Sequence, residues 1–193
     1  MIGKNIQKVA IVGGTFDPIH KGHLQIITEV AKNFEKVIVI PTGNPWLKEH
    51  TPIGSGEQRV AMAQIAVNSL NLGEKVQVSA IEVKRSGPSY AIDTVNELSK
   101  IYPDCKFTLV LGSDAASNLG KWHRSDELQK LVEVLVVRRP GVDSSSFAEI
   151  EISAPYLSST KIRDKVANSQ DISEFVTPTV ASFIKEHHLY GSR

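Results

Sequence analysis

Lys8-Val9-Ala10-Ile11-Val12 runs directly into Gly13-Gly14-Thr15-Phe16-Asp17-Pro18-Ile19-His20-Lys21-Gly22-His23, and Leu24-Gln25-Ile26-Ile27-Thr28-Glu29-Val30-Ala31 follows. The first run is short, apolar and β-branched, so it reads as a buried strand. The last has the apolar spacing of an amphipathic helix. Between them lie a glycine pair, an Asp-Pro turn and two histidines three residues apart at a helix start. Backbone N–H groups at a helix start, together with the positive end of the helix dipole, favour phosphate. Side chains at i and i+3 point the same way, so His20 and His23 add donors to the same anion. Gly13 and Gly14 let the backbone approach a ligand closely, and Gly22 does so between the histidines. Asp17 either builds the turn or orients a histidine ring.

The rest of the chain alternates in the same way. Strands are expected at residues 37–41, 76–81, 107–112 and 134–137, and helices at 57–70, 91–101 and 126–131. Two further helices are expected near 159–168 and 178–187, the second opened by Thr177 as N-cap and Pro178 at its first position. Such alternation predicts an α/β fold, Rossmann-like and doubly wound: a mostly parallel sheet, helices on both faces and a C-terminal helical segment. In such sheets ligands sit outside the carboxyl ends of strands. Polar, glycine-containing segments follow Val12, Ile40, Leu111 and Val137, where that rule wants them. Residues 1–193 are expected to form one domain, with the helical part from about 158 packed on it.

Composition narrows the function classes. With 22 basic and 21 acidic residues the formal charge is +1, which provides no electrostatic footprint for nucleic acid and no polybasic membrane patch. One cysteine, Cys105, excludes an internal disulfide framework and fits a reducing compartment. No apolar run has the length of a signal peptide or a membrane span, so a cytoplasmic location is expected. The Walker pattern is absent, and the histidine pair has no converging third ligand, although His50 or Asp114 could serve; no metal held by the protein is expected.

A second motif, Ser158-Ser159-Thr160-Lys161-Ile162-Arg163, pairs a serine N-cap with two cations in the first helical turn. The helix dipole disfavours that placement by a few tenths of a kcal/mol per charge. A bound anion removes the conflict; a solvated basic face is the alternative. With both motifs on one chain, a triphosphate clamp built from two helix starts accounts better for the pattern. Lys48 lies in the loop after the second strand, where it either holds a phosphate or is an ordinary loop lysine. Trp122, in Gly120-Lys121-Trp122-His123-Arg124, sits in a non-periodic polar loop, where an indole suits stacking on a flat ring as well as it suits core packing. Tyr90, Asp93 and Thr94 open a helix after Gly87-Pro88-Ser89, and capping alone would explain them.

Taken together, these segments resemble the HxGH nucleotidyltransferase superfamily, and closely resemble its bacterial nicotinate mononucleotide adenylyltransferase family. The resemblance rests on residues 13–23, Gly-Pro-Ser-Tyr-x-Ile-Asp-Thr at 87–94, Gly-Ser-Asp at 112–114, Trp-His-Arg at 122–124, Arg-Arg-Pro-Gly at 138–141 and Ser-Ser-Thr-x-Ile-Arg at 158–163. The chain departs from the family where Pro45-Trp46-Leu47-Lys48 replaces the common Pro-Pro-His-Lys, and in Gly-Ser-Asp for Gly-Ala-Asp. The resemblance implies transfer of the AMP part of ATP to nicotinate mononucleotide, with release of pyrophosphate, in NAD biosynthesis. A phosphopantetheine adenylyltransferase and a nucleotide-binding regulator without catalysis are the alternatives. It also implies catalytic His20 and His23. On the ATP side it implies Gly13, Gly14, Thr15, Phe16, Asp17, Gly22, Gly112, Asp114, Arg139, Ser159, Thr160 and Arg163. For the mononucleotide it implies Lys48, Tyr90, Thr94 and Trp122. Mg²⁺ is expected with the ATP, bridging phosphate oxygens. ATP and nicotinate mononucleotide are the partners expected, with no nucleic acid and no membrane. A homo-oligomer, preference for the acid over the amide, and the mobility of loop 44–56 are left open.

Overall fold

The computed structural model describes residues 7–46, 51–138, 146–152 and 157–192. Lys48 and Arg139 lie outside the described residues. Six strands form one sheet in the order β3-β2-β1-β4-β5-β6: β1 Gln7–Gly14, β2 Lys36–Pro41, β3 Val76–Val78, β4 Cys105–Gly112, β5 Val132–Arg138 and β6 Ala148–Glu151. Every pairing in it is parallel. The helices are α1 Lys21–Ala31, α2 Gly56–Asn68, α3 Ile81–Lys84, α4 Ala91–Ile101, α5 Ser113–Ser117, α6 Ser125–Leu131, α7 Ser159–Ala167 and α8 Pro178–Glu186. This is the Rossmann-like α/β architecture expected, and its strand order reverses between β1 and β4, where a ligand crevice opens.

Strand pleating divides the core. Ala10 and Val12 of β1 and Val37 and Val39 of β2 face one apolar cluster, which α1, α2, α7 and α8 complete. Val9, Ile11, Ile38 and Ile40 face the other, beneath α4 and α6. Both inner strands are buried on both faces, which is why they read as unbroken apolar runs rather than alternating ones. Ser55 caps α2 through a box with Gln58, its Oγ accepting from Gln58 N at 3.2 Å and its N–H donating to Oε1 at 2.9 Å. Thr177 caps α8 through Val180 N at 3.3 Å, with Pro178 opening the helix as expected.

Three short elements depart from expectation. The run at 76–81 is a strand only to Val78: Ser79 Oγ accepts from Ile81 N at 3.3 Å, turning the chain into α3. The helix α5, directly after β4, was not expected. Neither was β6, whose Glu149 and Glu151 pair with Arg138 across the sheet edge. Those carboxylates hide the strand in a reading that looks for apolar runs. At α7, Ser158 occupies the N-cap position without a side-chain cap.

Candidate active site

At the carboxyl edge of the sheet the chain leaves β1 through Gly13-Gly14 and leaves β4 through Gly112. A Cβ on Gly13 or Gly112 would meet no atom within 4 Å, whereas one on Gly14 would lie 2.8 Å from the Phe16 ring. The first two glycines therefore keep a cleft clear, and Gly14 makes room for the Phe16 ring. Phe16 itself has φ 50°, and the bond after Asp17 is cis.

Two cavities meet over that floor. One, of 290 Å³, is lined by Gly13, Gly14, Thr15, Trp46, Thr94 and Trp122 among others. The other, of 240 Å³, is lined by Gly13, Phe16, His20, Gly22, His23 and Ile26 among others. Gly13, Val110, Leu111 and Gly112 belong to both. The first has a flat aromatic wall and a few hydroxyls; the second has the histidine pair at the helix start.

That pair has a specific geometry. His20 is the N-cap of α1: its Nδ1 accepts from His23 N at 3.3 Å, while its own N–H donates to His23 Nδ1 at 3.2 Å. The rings stack with centroids 3.6 Å apart and planes 13° apart, and Phe16 meets His23 edge-on at 5.0 Å. Because each Nδ1 accepts from the backbone, each neutral ring carries its proton on Nε2. Two stacked imidazole rings are thus fixed at the positive end of a helix.

Asp17 builds the turn. Its buried carboxylate accepts from Ile53 N at 2.8 Å, Gly54 N at 3.0 Å and the Tyr190 hydroxyl at 2.7 Å. Burial first, and then the bond to Asp17 and its charge, hold the Tyr190 phenol well above its usual pKa. The second motif reaches the same turn: Ser159 Oγ donates to Pro18 O at 2.9 Å, and Arg163 Nη1 donates to Asp17 O at 2.7 Å. Arg163 Nη2 also donates to Thr160 Oγ1 at 3.2 Å. The two helix starts expected to act together are thus joined, 146 residues apart in the chain.

On the other side, Trp122 and Thr94 line the larger cavity. Tyr90 is not among the residues lining it, but is stacked on the lining residue His123 at 4.1 Å and meets the lining residue Trp46 edge-on at 5.3 Å. Asp114 is exposed in the first turn of α5 and lines neither cavity. Among the described residues no three His, Cys, Asp or Glu side chains are grouped to hold a metal ion.

Two charged groups at this site, Glu82 half-buried and Arg59 buried, escape a reading of the sequence. Glu82 lines the larger cavity and accepts from Thr94 Oγ1 at 2.8 Å, and Arg85 donates to that same hydroxyl at 2.9 Å. Burial raises the Glu82 pKa, against bonds from Thr94, Ser89 and the Gly43 backbone that lower it. Arg59 is 1% exposed and donates only to carbonyls: Gly54 O, Thr15 O, Thr42 O and Gly43 O. Burial lowers its pKa, opposed chiefly by the Asp17 carboxylate. A signal for Arg59 did exist. It falls on the buried stripe of α2 with Met62, Ala63, Ala66 and Val67, at the i, i+3, i+4, i+7, i+8 spacing of a core face.

The family model described as cytidylyltransferase-like matches residues 11–165, which span both glycine turns and the start of α7. A protein of Oceanobacillus iheyensis named "probable nicotinate-nucleotide adenylyltransferase" is 37% identical over 191 residues, covering 96% of this chain and 98% of its own. The chain belongs to the nicotinate-nucleotide adenylyltransferase family. A member of this family from Shouchella clausii, named in the same words, is 38% identical over 192 residues, with 96% and 98% covered. The fold is also that of the solved nicotinic acid mononucleotide adenylyltransferase of Plasmodium falciparum complexed with NaAD. That likeness has a TM-score of 0.81 at 19% identity and covers 97% of this chain and 98% of that one.

Proposed function

We propose that the protein transfers the adenylyl group of ATP to nicotinate mononucleotide, forming nicotinate adenine dinucleotide and pyrophosphate, a step of NAD biosynthesis. The observation that carries this reading is the glycine floor shared by two cavities, one aromatic and one lined by the stacked His20–His23 pair at a helix start. A phosphate oxygen of the mononucleotide in the first cavity attacks the α-phosphorus of ATP in the second. The new P–O bond forms as the bond to the β-phosphate oxygen breaks, and pyrophosphate leaves with that electron pair. The nucleophile is ionised near neutral pH, so no general base is needed. Catalysis is positioning plus stabilisation of charge on the phosphoryl oxygens.

His20 and His23 supply Nε2–H donors to those oxygens, with His23 nearest the α-phosphoryl group, and the start of α1 adds its dipole. Gly13 and Gly112 keep the path between the cavities open, Gly14 makes room for the Phe16 ring, Gly22 lines the histidine side for ATP, and the Thr15–Phe16 backbone borders the path. Asp17 holds the turn. Ser159, Thr160 and Arg163 stand beside that turn to receive the β- and γ-phosphates, and Asp114 and Arg139 complete the ATP side. Trp122 stacks on the pyridine ring, Tyr90 and Thr94 border its carboxylate, and Lys48 holds the mononucleotide phosphate. Mg²⁺ enters as part of Mg·ATP, on phosphate oxygens rather than in a protein cage. The reaction belongs in the cytoplasm, where a reduced Cys105 is stable.

The test is pyrophosphate release from Mg·ATP with nicotinate mononucleotide, nicotinamide mononucleotide or phosphopantetheine as acceptor. Release with nicotinate mononucleotide is expected. Release with phosphopantetheine alone, or with none of the three, overturns the reading.

A further inference from the structure

Arg59 lines neither cavity itself, yet the four carbonyl partners of its buried guanidinium lie on three separate segments around the larger one. Nε donates to Gly54 O at 3.1 Å and Nη2 to Gly43 O at 3.1 Å, the two ends of the loop that follows β2. Nη1 donates to Thr42 O and, at 2.9 Å, to Thr15 O in the glycine turn after β1. Thr15 and Thr42 both line the 290 Å³ cavity.

Each loop end is held a second time, at Gly43 by close packing and at Gly54 by the buried Asp17 carboxylate. At Gly43 the chain passes so close to the backbone of α3 that a Cβ there would fall 2.1 Å from Glu82 O. Asp17 accepts from Ile53 N and Gly54 N, and a Cβ on Gly54 would lie 2.9 Å from Asp17 Oδ1. Asn44 N donates to Ser89 Oγ at 3.0 Å, and Asn44 O accepts from Ser89 N at 2.9 Å. The walls of the larger cavity therefore meet at one cation. The smaller cavity is different: His20 and His23 are held by their mutual cap, and none of its lining residues bonds to Arg59.

We infer that Arg59 is a positioning residue that sets the mononucleotide half of the site, by fastening both ends of loop 43–54 to the glycine turn without touching substrate. This rests on the activity proposed above. Only a planar fork with donors on three nitrogens can reach four carbonyls on three segments. A lysine keeps the charge but presents a single ammonium centre.

The experiment is steady-state kinetics of Arg59→Lys against wild type, with ATP and nicotinate mononucleotide varied in turn, alongside thermal unfolding. We expect KM for the mononucleotide to rise about tenfold and kcat to fall, with KM for ATP within about twofold of wild type. Gly43→Ala is the second variant, because its Cβ falls 2.1 Å from Glu82 O and displaces, at a point away from Asp17, the loop end whose carbonyl Arg59 holds. It is expected to show the same split, and it decides alone if Arg59→Lys is insoluble. Unchanged KM values with only a lower Tm, or both KM values rising together, overturn the inference. No turnover by wild type instead overturns the activity on which it rests.

Discussion

Tyr190→Phe removes one hydroxyl from the buried network under the glycine turn and leaves the ring in the core. The lost bond, 2.7 Å to Asp17 Oδ1, runs to a charged acceptor, and such bonds contribute about 1.5–3 kcal/mol. Asp17 keeps Gly54 N and Ile53 N as donors, so the low end of that range, about 1.5 kcal/mol, is expected. For a chain of this length that corresponds to a Tm lower by about 3–6 °C. The pH dependence provides the sharper test. The folded pKa of Tyr190 is raised, by burial and by Asp17. Its contribution is therefore fully present below the unfolded value of about 10 and is lost as pH climbs above it, because the unfolded chain ionises first. Phenylalanine has no such dependence. Urea unfolding of both proteins should show the full gap at pH 8 and a gap smaller by about 1.4 kcal/mol at pH 11. A gap constant from pH 8 to 11, or a Tm change under about 1 °C, would refute the buried-donor account.

Gly112→Val places its side chain in open cleft, so Tm should hold while KM rises about tenfold or more for both substrates, read by pyrophosphate release. Thr94→Val breaks the relay from Arg85 to Glu82; about 1–3 kcal/mol of stability should be lost, with KM rising for the mononucleotide and not for ATP. Thr177→Ala removes the cap of α8, a residue that lines neither cavity, and should cost about 1 kcal/mol in urea unfolding with kinetics unchanged.

Most of the architecture was legible because β1, β2 and β4 are apolar on both faces and the helices between them are periodic. The Gly13–His23 turn was legible because glycines, Asp-Pro and a histidine pair mark a strand-to-helix junction. Strand β6 was not, since two of its four residues are glutamates paired with Arg138. Asp17, Arg59, Glu82 and Tyr190 mark the deeper limit. Tyr190 lies 173 residues from the carboxylate it serves, and no local pattern links the two. Arg59 is charged, so a helical reading sends it to solvent, although its spacing puts it on the core stripe. Its burial depends on four carbonyls that only the folded chain collects.

The narrow floor of Gly13 and Gly112 also bears on inhibitor chemistry. A single compound carrying a flat ring for one cavity and an adenosine-like group for the other gains from a high effective concentration of its second half. Its middle section must cross backbone that lacks side chains, beside the stacked His20 and His23 rings at the positive end of α1. A slender, anionic bridge suits that crossing, and a bulky or aliphatic one does not. Selectivity would then come from the two ends, above all from the Trp46, Tyr90 and Trp122 side.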